Sequence, residues 1–321
     1  MKLNIKQNVV PLFFAVDDRY IPYLAVALRS IIDNASDKYD YKTYVLVDEI
    51  SDESKKAILG MCQDNFSIEF ICVKDKLQRI GHRLHLRDYY TNATYYRFFI
   101  PEMFPQYDKG IYLDCDIAVT GDIAKLYEIK LGGNLVAAVT DEVVTDIPVF
   151  SDYSERFLGI ESEKYFNAGI LVMNLRQMRR IKIEKQLGEL MNMHTFRVAQ
   201  DQDYLNVICY DRVKYLDRSW NKTPFPYSNK NNIPYIAHYK MNFKPWHYDG
   251  VVYEEIFWQY ARKTPYYDML KAEKENYSEE CKLKDCEQGE NLQKLALEDI
   301  NRTSKQSFLP PISTLFLCGG I

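Results

Sequence analysis

An alternation of apolar runs and amphipathic stretches constrains the fold of this chain more than any other feature. The apolar runs at 9–17, 41–48 and 67–74 are typical of buried strands. Between them, residues 20–35 and 51–65 carry apolar side chains at helical spacing. Repeated strand–helix units imply an α/β fold, in which helices cover both faces of a largely parallel sheet.

Further elements follow along the chain. A helix is predicted at 93–104, where Pro101 ends or kinks it, and a strand is predicted at 110–117. Beyond these, the pattern predicts a buried strand within 165–175, helices at 176–193 and 199–211, an extended segment at 213–221 and a strand at 234–241. From about residue 268 the sequence becomes polar and charged, which indicates a helical or loosely attached tail. The last stretch, 307–321, matches no upstream pattern.

Composition and charge exclude several classes of protein. A net charge of −4 and a pI of about 5.8 give no general attraction to nucleic acid. No apolar run is long enough for a signal peptide or a membrane-spanning helix. The seven cysteines are odd in number and scattered, as is typical of reduced thiols. The sequence therefore predicts a cytoplasmic globular protein.

Two carboxylates stand at the end of an apolar strand in the stretch GIYLDCDI, residues 110–117. Asp114 and Asp116 point to the same face because side chains alternate along a strand, whereas Cys115 points to the other. Like charges on one face repel each other unless a cation lies between them. Hard divalent cations prefer oxygen ligands, and a diphosphate completes their coordination shell. The alternative is a solvated strand end with one carboxylate capping the next helix.

Two enzyme families share this local pattern. In haloacid-dehalogenase-type phosphatases the first aspartate, here Asp114, is a nucleophile on phosphate. That interpretation needs a later lysine and an acidic pair after another strand, and the sequence offers no convincing candidates. In nucleotide-sugar glycosyltransferases the D-x-D pair binds a metal, and a third ligand is required. His238, at the end of a predicted strand, is a suitable ligand for Mn²⁺, and Lys244 lies within reach of a phosphate.

Five segments in order resemble the retaining glycosyltransferases of family 8, which include bacterial lipooligosaccharide galactosyl- and glucosyltransferases and glycogenin. The segments are FAVDDRYIPYLAVALRSI, ATYYRFFIPEMF with YDKGIYLDCDIAVTGDIAKLY, YFNAGILVMNLRQMR, QDQDYLN and AHYKMNFKPW. The resemblance implies a GT-A fold with a Rossmann-like, largely parallel (mixed) sheet flanked by helices. The resemblance covers roughly residues 9–260, and the change in composition at about residue 268 predicts a catalytic domain at 1–267 and a polar C-terminal extension, partly helical or disordered, at 268–321. The resemblance also implies transfer of galactose or glucose from a UDP-sugar to a hydroxyl, with Mn²⁺ (or Mg²⁺) as cofactor.

The resemblance also assigns roles to residues that bind the nucleotide and the metal. Asp17 and the backbone of Ala15 would contact uracil, and Arg97 would lie near the diphosphate and sugar. Asp114, Asp116 and His238 would bind the metal, with Asp114 and Cys115 also in the donor site. In members of the family an asparagine often stands at the position of Arg19, and a glycine at that of Met241, so the ribose and phosphate contacts there differ.

The remaining roles concern the sugar and the reaction. Asp141, Asn167 and Ala168 match positions that contact the donor sugar. Asp201 would hydrogen-bond the sugar, and Gln202 matches the residue that faces the anomeric carbon. An amide is a poor nucleophile, so same-face attack by the acceptor is favoured over a covalent intermediate. Lys244 would stabilise the departing diphosphate.

The sequence is compatible with three classes of acceptor: a glycan, a lipid-linked glycan or a protein hydroxyl. Related lipooligosaccharide enzymes dock on membranes through a basic, aromatic C-terminal segment. The mixed charge of this tail predicts at most weak association with the inner face of a membrane. A non-catalytic sugar-nucleotide-binding protein is the alternative from outside the enzymes.

Overall fold

A mixed seven-stranded sheet forms the centre of the molecule. The computed structural model describes residues 8–76, 92–225, 228 and 231–305. The strands are β1 (Val9–Ala15), β2 (Asp40–Val47), β3 (Phe66–Cys72), β4 (Gly110–Leu113), β5 (Ile117–Val119), β6 (Val136–Ala138), β7 (Ile170–Met173), β8 (Val213–Tyr215) and β9 (Ile236–His238). The order across the large sheet is β3-β2-β1-β4-β7-β6-β8, and β7 runs antiparallel to both of its neighbours. The other pairs in this sheet are parallel, so the predicted α/β class and largely parallel sheet are confirmed.

Helices cover both faces of this sheet. They are α1 (Ile21–Asn34), α2 (Asp52–Leu59), α3 (Ile100–Met103), α4 (Ala124–Tyr127), α5 (Glu142–Asp146), α6 (Pro148–Asp152), α7 (Leu175–Arg180), α8 (Ile183–Met193), α9 (Asp201–Cys209), α10 (Glu254–Ala261), α11 (Tyr267–Glu275) and α12 (Glu279–Lys305). Alternate residues of β1 serve the two faces: Leu12 and Phe14 pack with α1, whereas Phe13 joins a separate cluster on the opposite face. The N-terminal strand–helix pattern thus predicted both layers correctly.

A small second sheet brings distant residues together. Strand β5 pairs with β9 in the antiparallel sense, and the pairing sets Ile117 opposite His238. The backbone N–H of Tyr239 donates to the carbonyl of Asp116 at 2.8 Å. This pairing places the end of β9 beside the two carboxylates that follow β4.

Several predicted elements differ in detail. The segment predicted as one helix at 93–104 is a 3₁₀ helix, Asn92–Phe98, followed by α3. Pro101 lies in the first turn of α3 instead of ending a helix. Backbone N–H groups in a first turn have no hydrogen-bond acceptor within the helix, so a proline, which lacks this N–H, is tolerated there. The helix predicted at 176–193 is divided into α7 and α8, and Lys182 between them has a left-handed φ of 55°. The segment at 213–221 contains β8 and then a 3₁₀ turn, Arg218–Asn221.

The C-terminal extension is helical, as predicted, over α11 and α12. The inner face of α12 buries Leu292, Ala296 and Ile300 in the main apolar cluster, and Arg197 pairs with Asp299 at 2.5 Å. The domain division at residue 267 stays a prediction, and 307–321 lie outside the described residues. Within the described part of the chain, no helix combines the length and apolar character needed to cross a bilayer.

Candidate active site

Two carboxylates and an imidazole meet where β4 and β9 end. One ligand atom from each of Asp114, Asp116 and His238 lies within 4.8 Å of the other two. His238 Nε2 is 3.1 Å from Asp116 Oδ1 and 3.8 Å from Asp114 Oδ2. Gly169 keeps this space open, since a Cβ there would lie 2.4 Å from His238 Cε1 and 2.5 Å from Asp114 Oδ2. The trio predicted from the sequence is therefore brought together.

Positive charges hold both carboxylates in place. Arg97 Nη2 reaches Asp114 Oδ1 at 3.1 Å, and the hydroxyl of Tyr112 donates to the same oxygen at 2.9 Å. Lys244 Nζ lies 2.5 Å from Asp116 Oδ2. Burial alone would raise the pKa of Asp116, but the charges of Lys244 and His238 more than offset burial and hold that pKa below its ordinary value. Asp116 is therefore ionised at neutral pH.

A chain of amides fixes which nitrogen of His238 carries hydrogen. A carboxylate can only accept, so Asn167 Nδ2 donates to Asp141 Oδ2 at 2.9 Å and Asn167 Oδ1 accepts. Asn221 Nδ2 donates to that Oδ1 at 2.8 Å, which leaves Asn221 Oδ1 to accept from His238 Nδ1 at 2.8 Å. The network assigns the proton to Nδ1.

The assigned tautomer bears directly on metal binding. With only Nδ1 protonated, Nε2 of His238 presents a lone pair to Asp116 Oδ1 across 3.1 Å, and with both nitrogens protonated the ring is the cation that lowers the pKa of Asp116. Two lone pairs cannot face each other at this distance unless a proton or a metal cation lies between them. Two carboxylates and an imidazole suit Mn²⁺ or Mg²⁺, so the residues fit a divalent ion.

A second polar group lies beside this trio, around Gln202 in the first turn of α9. Its Oε1 accepts from the backbone N–H of Ala168 at 2.9 Å and from Asn167 Nδ2 at 3.0 Å. Its Nε2 donates to Asp141 Oδ2 at 3.1 Å. Burial would raise the pKa of Asp141, but Lys240, 2.6 Å away, contributes most to holding that pKa below its ordinary value.

Asp201 lines the cleft and pairs with Arg97. Asp201 Oδ2 is 3.2 Å from Arg97 Nε, while Arg97 Nη1 donates to the carbonyl of Ala168. Burial raises the pKa of Asp201 to about 7, and Arg97 opposes that rise. The structure thus couples Asp201 to the arginine that also holds Asp114.

One end of the cleft lies at the end of β1. Asp17 accepts from the backbone N–H of Arg19 at 3.0 Å and from its Nη2 at 2.9 Å, which caps a 3₁₀ turn. The buried thiol of Cys115 lies 3.6 Å from the carbonyl of Ala15, and burial raises the pKa of this thiol.

Every residue singled out from the sequence lines one cleft: Ala15, Asp17, Arg97, Asp114, Cys115, Asp116, Asp141, Asn167, Ala168, Asp201, Gln202, His238 and Lys244. Sequence reasoning missed Asn221, Lys240 and Leu292. Asn221 and Leu292 carry no signal in the sequence, whereas Lys240 lies close enough to His238 in the chain to have been considered. Met241 also lines the cleft, and its left-handed φ of 64° is one that glycine adopts more easily.

Comparisons with known proteins agree with this geometry. The family model described as Glycosyl transferase family 8 matches residues 11–250. A Haemophilus influenzae protein named as a glycosyltransferase is 31% identical over 217 residues, which cover 66% of this chain and 63% of that protein. The lipopolysaccharide 1,2-glucosyltransferase of Escherichia coli is 28% identical over 76% of this chain and 75% of its own length.

A solved structure agrees as well. It is the galactosyltransferase LgtC in complex with donor and acceptor sugar analogues, with a TM-score of 0.68 and 27% identity, over 80% of this chain and 96% of that one. The likeness covers the mixed sheet and its flanking helices. Because the family model matches well over half of the residues, the chain belongs to glycosyltransferase family 8.

Proposed function

We propose that this protein transfers a hexose from a UDP-sugar to a hydroxyl acceptor, with a divalent metal and with retention at the anomeric carbon. The observation that carries the proposal is the meeting of Asp114, Asp116 and His238 within 4.8 Å at the floor of the cleft. Family membership supports glycosyl transfer as the reaction class. The relatives named above include a glucosyltransferase and a galactosyltransferase, which supports a hexose donor.

The metal trio would hold Mn²⁺ or Mg²⁺ against the donor diphosphate. When bound, such an ion acts as a Lewis acid that stabilises negative charge on the departing UDP. Lys244, buried and charged beside Asp116, adds a second positive group at the same place. At the end of β1, Asp17 accepts from the uracil ring once Arg19 yields one of its bonds, and the backbone of Ala15 serves the other edge.

The sugar would lie against Asp141, Asn167 and Gln202. These side chains already hydrogen-bond one another, so their positions are set before the donor arrives. Asp141 is ionised and accepts from sugar hydroxyls, and the Gln202 amide faces the reacting carbon.

The reaction proposed here needs no nucleophile from the protein. The C1–O bond to UDP breaks, the acceptor oxygen bonds to C1 from the same face, and a phosphate oxygen of UDP takes the acceptor proton. Lys244 stabilises the charge that grows on the departing phosphate oxygens. Gln202, as a neutral amide, positions the sugar and does not form a covalent intermediate.

Two earlier alternatives are less favoured. Asp114 is held by Arg97 and Tyr112, an arrangement that suits a ligand better than an attacking nucleophile, and the family differs from the phosphatases. If the protein only bound sugar nucleotides, it would bind UDP but would not hydrolyse a UDP-sugar. The same proposal includes three further points. The acceptor hydroxyl belongs to a glycan, a lipid-linked glycan or a protein. The protein is cytoplasmic, and it docks at most weakly at the inner face of a membrane.

Asp116→Asn tests the metal site, with the exposed Asp37→Asn as a control. Calorimetry with UDP and Mn²⁺, and slow hydrolysis across a panel of UDP-sugars, are the measurements. We expect Asp116→Asn to lose both Mn²⁺-dependent binding and hydrolysis, and Asp37→Asn to keep both. Unchanged UDP affinity in Asp116→Asn would refute the site, and binding without any hydrolysis or transfer in the wild type would favour the non-catalytic alternative.

A further inference from the structure

The carboxylate of Asp141 is fully occupied by hydrogen-bond donors from the protein. Its Oδ1 accepts from the backbone N–H of Val143 at 2.9 Å and from Lys240 Nζ at 2.6 Å. Its Oδ2 accepts from Asn167 Nδ2 at 2.9 Å and from Gln202 Nε2 at 3.1 Å. A carboxylate offers about four lone-pair positions, so these bonds use all of them. A sugar hydroxyl therefore donates to Asp141 only where one of the protein donors gives way.

Three of the donors are held in place by other interactions. The N–H of Val143 belongs to the first turn of α5, which Asp141 caps. The amides of Asn167 and Gln202 are bonded to each other, Nδ2 to Oε1 at 3.0 Å. Gln202 Oε1 also accepts from the backbone N–H of Ala168 at 2.9 Å. Moving any of these donors would break a helix cap or further hydrogen bonds.

Lys240 is the donor that is able to leave. Among the residues that the structure describes, its ammonium bonds to Asp141 alone. Its side chain lines the cleft and is 11% exposed, so it has a path toward water. The backbone on both sides is fixed, because Tyr239 N–H donates to the carbonyl of Asp116 at 2.8 Å and Asn242 Nδ2 donates to a carbonyl of α12 at 2.7 Å. The flexible side chain of Lys240 therefore moves without its backbone.

An ammonium in this position changes how the site responds to a missing sugar hydroxyl. Where only a substrate hydroxyl satisfies a buried polar group, a substrate without that hydroxyl leaves the group unpaired and is strongly rejected. Asp141 avoids this penalty, because Lys240 stays on Oδ1 when no hydroxyl replaces it. The carboxylate keeps a full set of bonds in both cases.

We propose that Lys240 determines donor specificity: its ammonium holds the place of one sugar hydroxyl on Asp141, so the site takes UDP-hexoses that lack or invert that hydroxyl. This inference rests on the proposed function, because it takes Asp141 as a contact of the donor sugar. A sugar with the matching hydroxyl displaces the ammonium from Oδ1. A sugar without it leaves the ion pair intact, and the two sugars bind with similar affinity.

Calorimetry in the presence of Mn²⁺ tests the proposal. The ligands are UDP-glucose, UDP-galactose and a set of UDP-galactoses that each lack one hydroxyl. Lys240→Met keeps an unbranched side chain but removes the N–H donors, whereas Lys240→Arg keeps both charge and donors. Lys55→Met, the same change at an exposed position on α2, is the control.

We expect one hydroxyl to become important only when Lys240 is replaced by methionine. For that hydroxyl, its loss should alter affinity by no more than about threefold in the wild type, Lys240→Arg and Lys55→Met. In Lys240→Met the same loss should weaken binding by at least about tenfold more, because the buried carboxylate then depends on the sugar. Unchanged ratios for every hydroxyl in folded Lys240→Met would overturn the proposal. An equal loss of affinity for all the sugars would indicate a purely structural role and would overturn it as well.

NMR of labelled lysine side chains tests the proposal in the wild type, even if Lys240→Met fails to fold. The Lys240 signal is assigned from its absence in Lys240→Arg, and Mg²⁺ replaces the paramagnetic Mn²⁺. The signal should differ between the complexes with UDP and with UDP-galactose or UDP-glucose, and at least one deoxy sugar should restore the signal of the UDP complex. One signal shared by all the complexes would refute the displacement of Lys240.

Titration with UDP and Mn²⁺ in the same samples tests the proposed function separately. Absence of Mn²⁺-dependent UDP binding would overturn the transferase and this inference with it. Binding of UDP-hexoses that leaves Lys240 on Asp141 with every sugar would overturn this inference alone.

Discussion

Asn221→Ala is the perturbation that tests most directly how this site holds a metal. Asn221 is 3% exposed and sits between two site residues: it donates to Asn167 Oδ1 and accepts from His238 Nδ1, both at 2.8 Å. Its removal releases the constraint that keeps the proton on Nδ1. The imidazole is then free to place its proton on Nε2, where it blocks metal coordination.

The magnitude follows from the partners left behind. His238 and Asn167 are 2% and 7% exposed, so each loses a hydrogen bond that water replaces poorly. We expect a loss of about 2 to 4 kcal/mol in the free energy of unfolding. Removing the partner of a metal-binding histidine lowers metal affinity about 10- to 100-fold, which corresponds to about 1.4 to 2.8 kcal/mol.

Calorimetric titration with Mn²⁺ and urea unfolding measure the two effects on one sample. Asn192→Ala, an exposed change on α8, is the control and should leave Mn²⁺ affinity unaltered. Asn221→Asp retains an acceptor for His238 Nδ1, so it should recover more of the Mn²⁺ affinity than Asn221→Ala does. A folded Asn221→Ala protein with wild-type Mn²⁺ affinity would refute the tautomer argument.

Three other changes give distinct results. Gly169→Ala should abolish Mn²⁺ binding, because the new Cβ would clash with His238 and Asp114, whereas Gly133→Ala has no neighbour within 4 Å and should bind normally in the same titration. Met241→Gly should change the free energy of unfolding by less than about 1 kcal/mol, because relief of a left-handed φ offsets the loss of a side chain that packs partly on the main apolar cluster, and a loss of several kcal/mol in urea unfolding would contradict this. Burial raises the pKa of Asp203 to about 6, so the folded state keeps an extra proton between pH 4 and 6 and stability falls as pH rises through that window. Asp203→Asn should remove a fall on the order of 3 kcal/mol, and an unchanged pH profile would rule this out.

Local sequence predicted the site well where its residues follow a strand directly. The strand predicted at 110–117 ends at Leu113, so Asp114 and Asp116 lie in the connection to β5 and strand alternation does not orient them, but the expectation that they gather with Asp17 at the ends of the strands is met. The charged tail was predicted to be either helical or loosely attached, and its described part is helical. These predictions depend on the geometry of residues that are close together in the chain, and the local sequence determines that geometry.

Contacts between distant segments could not be predicted in the same way. His238 was proposed as a third ligand from its place at a predicted strand end and from its chemistry, but the local sequence does not show what brings it to the carboxylates, which is the antiparallel pairing of β5 with β9. Asn221 lies in a 3₁₀ turn and carries no pattern that marks a buried amide. Leu292 is one of several apolar positions in a polar helix, and nothing in the local sequence indicates which face of that helix meets the cleft.

Backbone strain shows how the tertiary contacts override local preference at the start of α9. Gln200 has φ 48° and ψ −115°, a conformation that costs a residue with a side chain about 1–3 kcal/mol. Its amide is buried and makes no hydrogen bond within the described part of the chain. The next residues offset this cost: Gln202 bonds to Ala168, Asn167 and Asp141, and Asp203 accepts from two tyrosine hydroxyls and a backbone N–H. Because these bonds are made within the protein, they fix the first turn of α9, and a ligand that contacts Gln202 would spend no binding energy on ordering it.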